Sequence, residues 1–154
     1  MAFEKALREL IKKGGKGKVS VSAYRMVIQG LQEVSVGYSS ALYFAGKKIA
    51  IDILSDYTKG NDMKSIINGL NAFFKKEGLG TLEIKEISEK SVSIILKSSA
   101  SSHGMLPIGK PVCFFEAGLI AGTIEKKMGR KVIVNEVLCG GLGDDVDEFL
   151  VKFV

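Results

Sequence analysis

The sequence predicts an α+β domain: N-terminal helices packed on a four-stranded antiparallel sheet made of two hairpins separated by a helix. Three observations predict it. Apolar residues recur with helical spacing through most of the first half, the period changes to two after Gly80, and the two alternating pairs that follow are split by one helical run. The 154 residues suit a single domain spanning 1–154. A chain of that size buries roughly 70% of its unfolded surface, so a core forms without staples.

Residues 3–13 place Phe3, Leu7, Leu10 and Ile11 on one helical face, and Gly14, Gly15 and Gly17 end that helix. The stretch 19–36 is apolar with mixed period and predicts a short helix followed by a loop ending near Gly37. Residues 38–57 carry two apolar stripes, Tyr38–Leu42–Ala45–Ile49–Ile53 and Tyr43–Gly46–Ala50–Leu54–Tyr57. They predict a long central helix buried on more than one side. Asn61 or Asp62 caps a further helix that runs to about Glu77, with Gly78 as its stop.

Alternation then sets in over 81–88 and 91–98 around Glu89–Lys90, which predicts a hairpin. Ser98–Gly104 is small and polar and predicts a loop, and Pro107 and Pro111 keep the next stretch irregular. Phe115–Met128 is a helix with Ala117, Ile120, Ala121, Ile124 and Met128 on one stripe. Gly118 and Gly122 lie one turn apart in it, at a cost of roughly 0.5–1 kcal/mol each relative to Ala, which points to close backbone packing. Strands near 131–139 and 147–154 flank a Gly140–Gly143 turn and complete the sheet.

Composition narrows the function classes. With 46% apolar and 25% charged residues the chain is globular rather than disordered. No apolar run approaches the ~20 residues of a membrane span, and the charged start MAFEKALRELIKK lacks a signal-peptide h-region, so a cytoplasmic protein is expected. The net charge is +5, but the densest basic stretch (Lys12, Lys13, Lys16, Lys18) has no interleaved aromatics, so no nucleic-acid partner is expected. The single histidine, His103, cannot build a His-rich metal site, and the serines beside it read as loop residues rather than as a catalytic triad.

The cysteines carry the sharpest chemical signal. Cys113 and Cys139 are the only two, and they are either buried apolar thiols, a redox pair or part of a metal site. Twenty-two residues separate Cys113 from Glu136, two separate Glu136 from Cys139, and seven separate Cys139 from Asp147. Thiolates suit zinc, and carboxylates can complete its tetrahedron. Cys113 precedes a helix N-terminus, which favours thiolate. Glu136 and Cys139 lie on opposite sides of a straight strand, so the site requires a bulge or turn between them.

The segment CFFEAGLIAGTIEKKMGRKVIVNEVLCGGLGDDVDEFLVKFV resembles the C-terminal half of 4-vinyl reductase domains, which include hydrocarbon-binding proteins. The earlier ALYFAGKKIA, with Tyr43 and Gly46, is similar to the helix motif of the same family. The related aromatic-sensing input domains hold structural zinc through Cys, Glu, Cys and Cys. That resemblance implies Cys113, Glu136 and Cys139 as ligands. A carboxylate, Asp147, stands at the fourth position, with Asp144, Asp145 or Glu148 as substitutes. It also implies a small apolar ligand — hydrocarbon-like, aromatic or lipid-like — held near Tyr43, Val92, Ile94, Thr123 and Val134. The expected role is binding or sensing without catalysis. A reductase acting on a vinyl group, or a protein–protein adaptor, is the alternative. A homodimer through residues 19–57 is expected, because that stretch carries more apolar surface than one small sheet covers.

Overall fold

The computed structural model describes residues 2–14 and 18–154. Gly15 and Gly17, part of the loop predicted after the first helix, and Lys16 of the basic stretch lie outside the described residues. The elements run α1 (Ala2–Lys13), α2 (Val21–Val34), α3 (Gly37–Asp52), α4 (Met63–Glu77), β1 (Thr81–Ile87), β2 (Ser91–Lys97), α5 (Phe114–Met128), β3 (Val132–Leu138) and β4 (Asp147–Phe153).

The four strands form one antiparallel sheet in the order β1-β2-β4-β3. The segment through α5 carries the chain from β2 to the far edge, and β4 returns between β2 and β3. One face of the sheet presents Leu82, Val92, Ile94, Leu96, Val134, Phe149 and Val151 to the core, where they join Ile66, Leu70 and Phe74 of α4 and Ile120 and Ile124 of α5. Alternation in the strands and a 3.6 period in the helices point these side chains at one another.

Sequence signals fix the ends of several elements. Asp62 caps α4, its carboxylate accepting from Ser65 N at 3.0 Å, and Gly78 ends the helix in the left-handed region at φ 72°. Cys113 sits at the N-cap of α5, and Gly129 closes that helix at φ 65°.

Helices α3 and α5 cross at backbone contact. A Cβ placed on Gly118 would lie 2.1 Å from Tyr43 O, one on Gly122 2.3 Å from Lys47 O, and one on Gly46 2.3 Å from Phe115 O. The small residues let the two helices approach where any side chain would separate them. This crossing fixes Tyr43 relative to Cys113.

Two predicted elements are corrected. The helix expected over 38–57 ends at Asp52 and gives way to a 3₁₀ turn at Leu54–Tyr57, which carries fully buried Leu54 into the core. The stretch 19–36 is a full helix rather than a short helix and loop: α2 has 14 residues, and Ser20 Oγ caps it by accepting from Ala23 N at 3.1 Å. Its polarity is inverted, which is why the apolar period misled. Gln32 is buried, while Met26, Val27, Leu31 and Val34 face outward. Among the described residues, no helix is long and apolar enough to cross a membrane.

Candidate metal centre

Cys113, Glu136, Cys139 and Asp147 converge on one point, each offering a donor atom within 4.8 Å of the others. Local structure explains the convergence. Cys113 is delivered by the start of α5. Glu136 lies on β3, where the register slips between Glu136 and Leu138, leaving Val137 as an extra residue against β4. That bulge turns the strand so that Glu136 and Cys139 reach the same side, as the spacing required. Asp147 opens β4 directly after the turn.

The turn supplies donors from the backbone. Gly140 N donates to Asp147 Oδ1 at 3.1 Å, Gly141 N to Cys139 Sγ at 3.3 Å, and Cys113 N to Glu136 Oε2 at 3.0 Å. Gly140 and Gly141 are glycine by necessity: a Cβ there would lie 2.6 Å from Ser102 O and 2.3 Å from Lys110 O. The other acids near the turn go elsewhere. Asp144 Oδ2 accepts from Cys139 N at 2.8 Å, Glu148 Oε2 accepts from Lys85 Nζ at 2.7 Å, and Asp145 is exposed.

The electrostatics suit a cation. Among the described residues no Lys, Arg or His bonds to any of the four donors. Burial pushes the Cys113 thiol up and lifts the Glu136 carboxyl to about 9, with the neighbouring Cys139 adding to the rise. A hydrogen bond from Cys113 holds Cys139 down to about 7. Glu136 Oε1 is buried without a hydrogen-bond partner, a costly arrangement for a carboxylate oxygen unless an ion faces it. Tetrahedral zinc at about 2.0–2.3 Å from each ligand holds its donors roughly 3.3–3.8 Å apart, close to the present spacing. The donor set therefore fits zinc. Two thiolates and two carboxylates leave such a site with a formal surplus of negative charge, which the three backbone N–H donors and Ser102 Oγ, 2.7 Å from both Asp147 oxygens, offset.

Beside this cluster a groove of about 540 Å³ runs between α3, the start of α5 and the edge strand β3. Tyr43, Phe44, Pro111, Phe114, Ile133 and Val134 line it, and Glu136 borders it as well. Tyr43 Oη accepts from Val134 N at 3.4 Å, tying α3 to the sheet edge.

Residues 92–153 match the model of the vinyl-4-reductase domain. An uncharacterized protein of Methanocaldococcus jannaschii is 37% identical over 134 residues, which cover 87% of this chain and 76% of the relative. The chain belongs to the vinyl-4-reductase domain family. A crystal structure of a vinyl-4-reductase family protein from the same organism superposes with a TM-score of 0.69 at 25% identity, covering 99% of this chain and 93% of that one. The phenol-responsive sensory domain of the transcription activator PoxR, solved with phenol, shares the fold with a TM-score of 0.69 at 14% identity, over 88% of this chain and 75% of that one.

In this vinyl-4-reductase domain the four candidate metal ligands stand together, whereas the five candidate ligand-contacting residues divide. Tyr43 and Val134 line the groove. Val92, Ile94 and Thr123 are buried in the core, with Thr123 Oγ1 donating to Leu119 O at 2.8 Å. His103 is exposed, and Ser102 donates to Asp147 rather than to histidine.

Sequence reasoning missed Glu116 and the serine loop. Glu116 is fully buried one turn into α5, bonded to Ser101 Oγ, with Tyr24 Oη at 3.4 Å. Burial lifts its carboxyl to about 7. A lone acid inside the run FFEAGLIAGTI was the available signal. The serines gave none: a small polar run reads as an exposed loop, yet Ser99, Ser101 and Ser102 are buried.

Proposed function

We propose that this domain is a non-catalytic module that binds a small apolar molecule, with zinc held structurally by Cys113, Glu136, Cys139 and Asp147. One observation carries the reading: the four-donor cluster and the aromatic-lined groove share Glu136. A metal that fixes Glu136 also fixes one wall of the groove. The volume lies within the usual range for small-molecule sites. The lining favours a hydrocarbon-like, aromatic or lipid-like ligand, and Tyr43 is its polar handle. The solid packing of Val92, Ile94 and Thr123 favours the Tyr43–Val134 end for such a ligand. The PoxR domain of like fold is phenol-responsive, which supports a sensing role.

With all four zinc positions filled by protein groups, no place remains for a catalytic water. The exposed stripe of Met26, Val27, Leu31 and Val34 favours pairing of two copies through the N-terminal helices, and sedimentation at micromolar concentration tests it.

Titration calorimetry with a panel of alkanes, fatty acids and phenols tests the ligand. Binding with a negative heat-capacity change, abolished by Val134→Asp, is the expected result. An absence of binding across the panel gives the adaptor reading precedence.

A further inference from the structure

The buried serine loop encloses the metal donors from the side opposite the glycine turn. Ser102 Oγ lies 2.7 Å from both oxygens of Asp147, and Ser99 Oγ lies 3.6 Å from Cys113 Sγ. Ser101 Oγ bonds Glu116, one turn along α5 from Cys113. The loop starts at Ser98, which holds φ 52°, a left-handed conformation that a non-glycine residue adopts only when its surroundings impose it.

Helix α2 imposes it. Arg25 Nε donates to Ala100 O at 2.7 Å, and its Nη2 donates to His103 O at 2.6 Å and Ser99 O at 3.5 Å. Gln29 Nε2 donates to Ser101 O at 2.9 Å. Gln32 Nε2 donates to Val112 O, the residue before Cys113, at 3.2 Å. Arg25, Gln29 and Gln32 fall at i, i+4 and i+7, on one helical face. Of the residues of α2 only Ile28 and Gln32 are buried, so these bonds, more than apolar packing, hold the helix to the fold. Every carbonyl they reach lies in the serine loop or beside Cys113.

We infer that Arg25, Gln29 and Gln32 are positioning residues for the metal donors, and that metal loading and the docking of α2 are therefore coupled. The inference rests on the metal reading above and adds its regulation. Groups that orient metal ligands typically change affinity 10–100-fold when removed. Coupling between sites is reciprocal, so metal that needs the serine loop in place also strengthens the hold of the loop on α2. The outward face of α2 carries exposed Met26, Val27, Leu31 and Val34. Loading thus fixes the placement of the apolar surface that this domain offers a partner.

The experiment compares zinc affinity, by competition with a chromophoric chelator, for the full chain and for Ser102→Ala, Arg25→Ala and Met26→Ala. Met26 is 71% exposed on the same helix and serves as the control. We expect affinity to fall 10–100-fold for Ser102→Ala and about tenfold for Arg25→Ala, and to stay unchanged for Met26→Ala. Hydrogen exchange of the unmutated chain, with and without zinc, reads the reverse direction and does not depend on the variants folding. Amides of 21–34 and 98–103 should gain protection on loading well beyond those of α4. Unchanged zinc affinity in Arg25→Ala, or α2 exchange that is the same with and without zinc, overturns the coupling while leaving the metal site intact. Failure of the unmutated chain to bind zinc overturns the metal reading itself, and the coupling with it.

Discussion

Replacing Gly118 with alanine tests the helix crossing that positions both the groove and Cys113. The new Cβ would stand 2.1 Å from Tyr43 O and 2.9 Å from Lys47 N. Both are main-chain atoms of α3 and cannot swing aside as a flexible side chain does. Restoring ordinary contact requires α3 and α5 to move apart by roughly an ångström, and overpacking of this kind costs about 1–3 kcal/mol, occasionally more. Alanine recovers up to ~1 kcal/mol of helix propensity. Because the obstruction is backbone, the upper end applies, and the net loss is about 1–2 kcal/mol. For a domain of this size that lowers the melting temperature by roughly 2–8 °C. Gly30 is the internal control: nothing lies within 4 Å of its would-be Cβ, so Gly30→Ala should stabilise α2 by about 0.5–1 kcal/mol. Thermal and urea denaturation followed by circular dichroism measure both. A Gly118→Ala protein as stable as the parent, or more so, would refute the close crossing.

Two further predictions concern the metal centre. Asp147→Cys replaces a carboxylate with a thiolate better suited to zinc and should tighten binding about tenfold, roughly 1.4 kcal/mol; equal or weaker affinity in chelator competition counts against Asp147 as the fourth ligand. The pH dependence of stability should change on loading. Glu116 and Glu136 have folded-state values raised to about 7 and about 9 from 4.5, chiefly by burial. In metal-free protein their contribution is fully present below about pH 4.5 and is lost as pH rises through about 7 and 9, because the unfolded chain ionises first. Metal-free urea midpoints should therefore fall between about pH 5 and 9, whereas zinc affinity should rise over that range as protons leave Cys113 and Glu136. A metal-free midpoint that climbs with pH would show that these carboxyls ionise freely in the fold.

Much of the fold was legible because its determinants are local. The stripe in α5, the Asp62 cap, the Gly78 stop and the alternation of 81–97 each dictate nearby backbone with little help from elsewhere. The metal cluster was legible because two cysteines and two acids keep a revealing spacing, and the need for a bulge before Cys139 followed from strand parity alone. Helix α2 was misread because its buried face is polar. Arg25, Gln29 and Gln32 bond loop carbonyls some 70 to 80 residues away, and no local pattern announces such partners. The serine loop and Glu116 were missed for the same reason: their burial is set by neighbours distant in sequence. The division of the ligand-contacting residues depends on which side of the sheet the helices fill, and period alone does not determine that.

Elemental analysis of protein purified without chelator, combined with native mass spectrometry and alkylation of the folded chain, tests the metal centre directly. The four convergent donors predict about one equivalent of zinc per chain, protection of Cys113 and Cys139 from alkylation, and loss of both in Cys139→Ser, which should also loosen the turn between β3 and β4. Less than about a tenth of an equivalent of any transition metal, with both cysteines freely alkylated in the native state, would contradict the metal centre and return the two thiols to ordinary core packing.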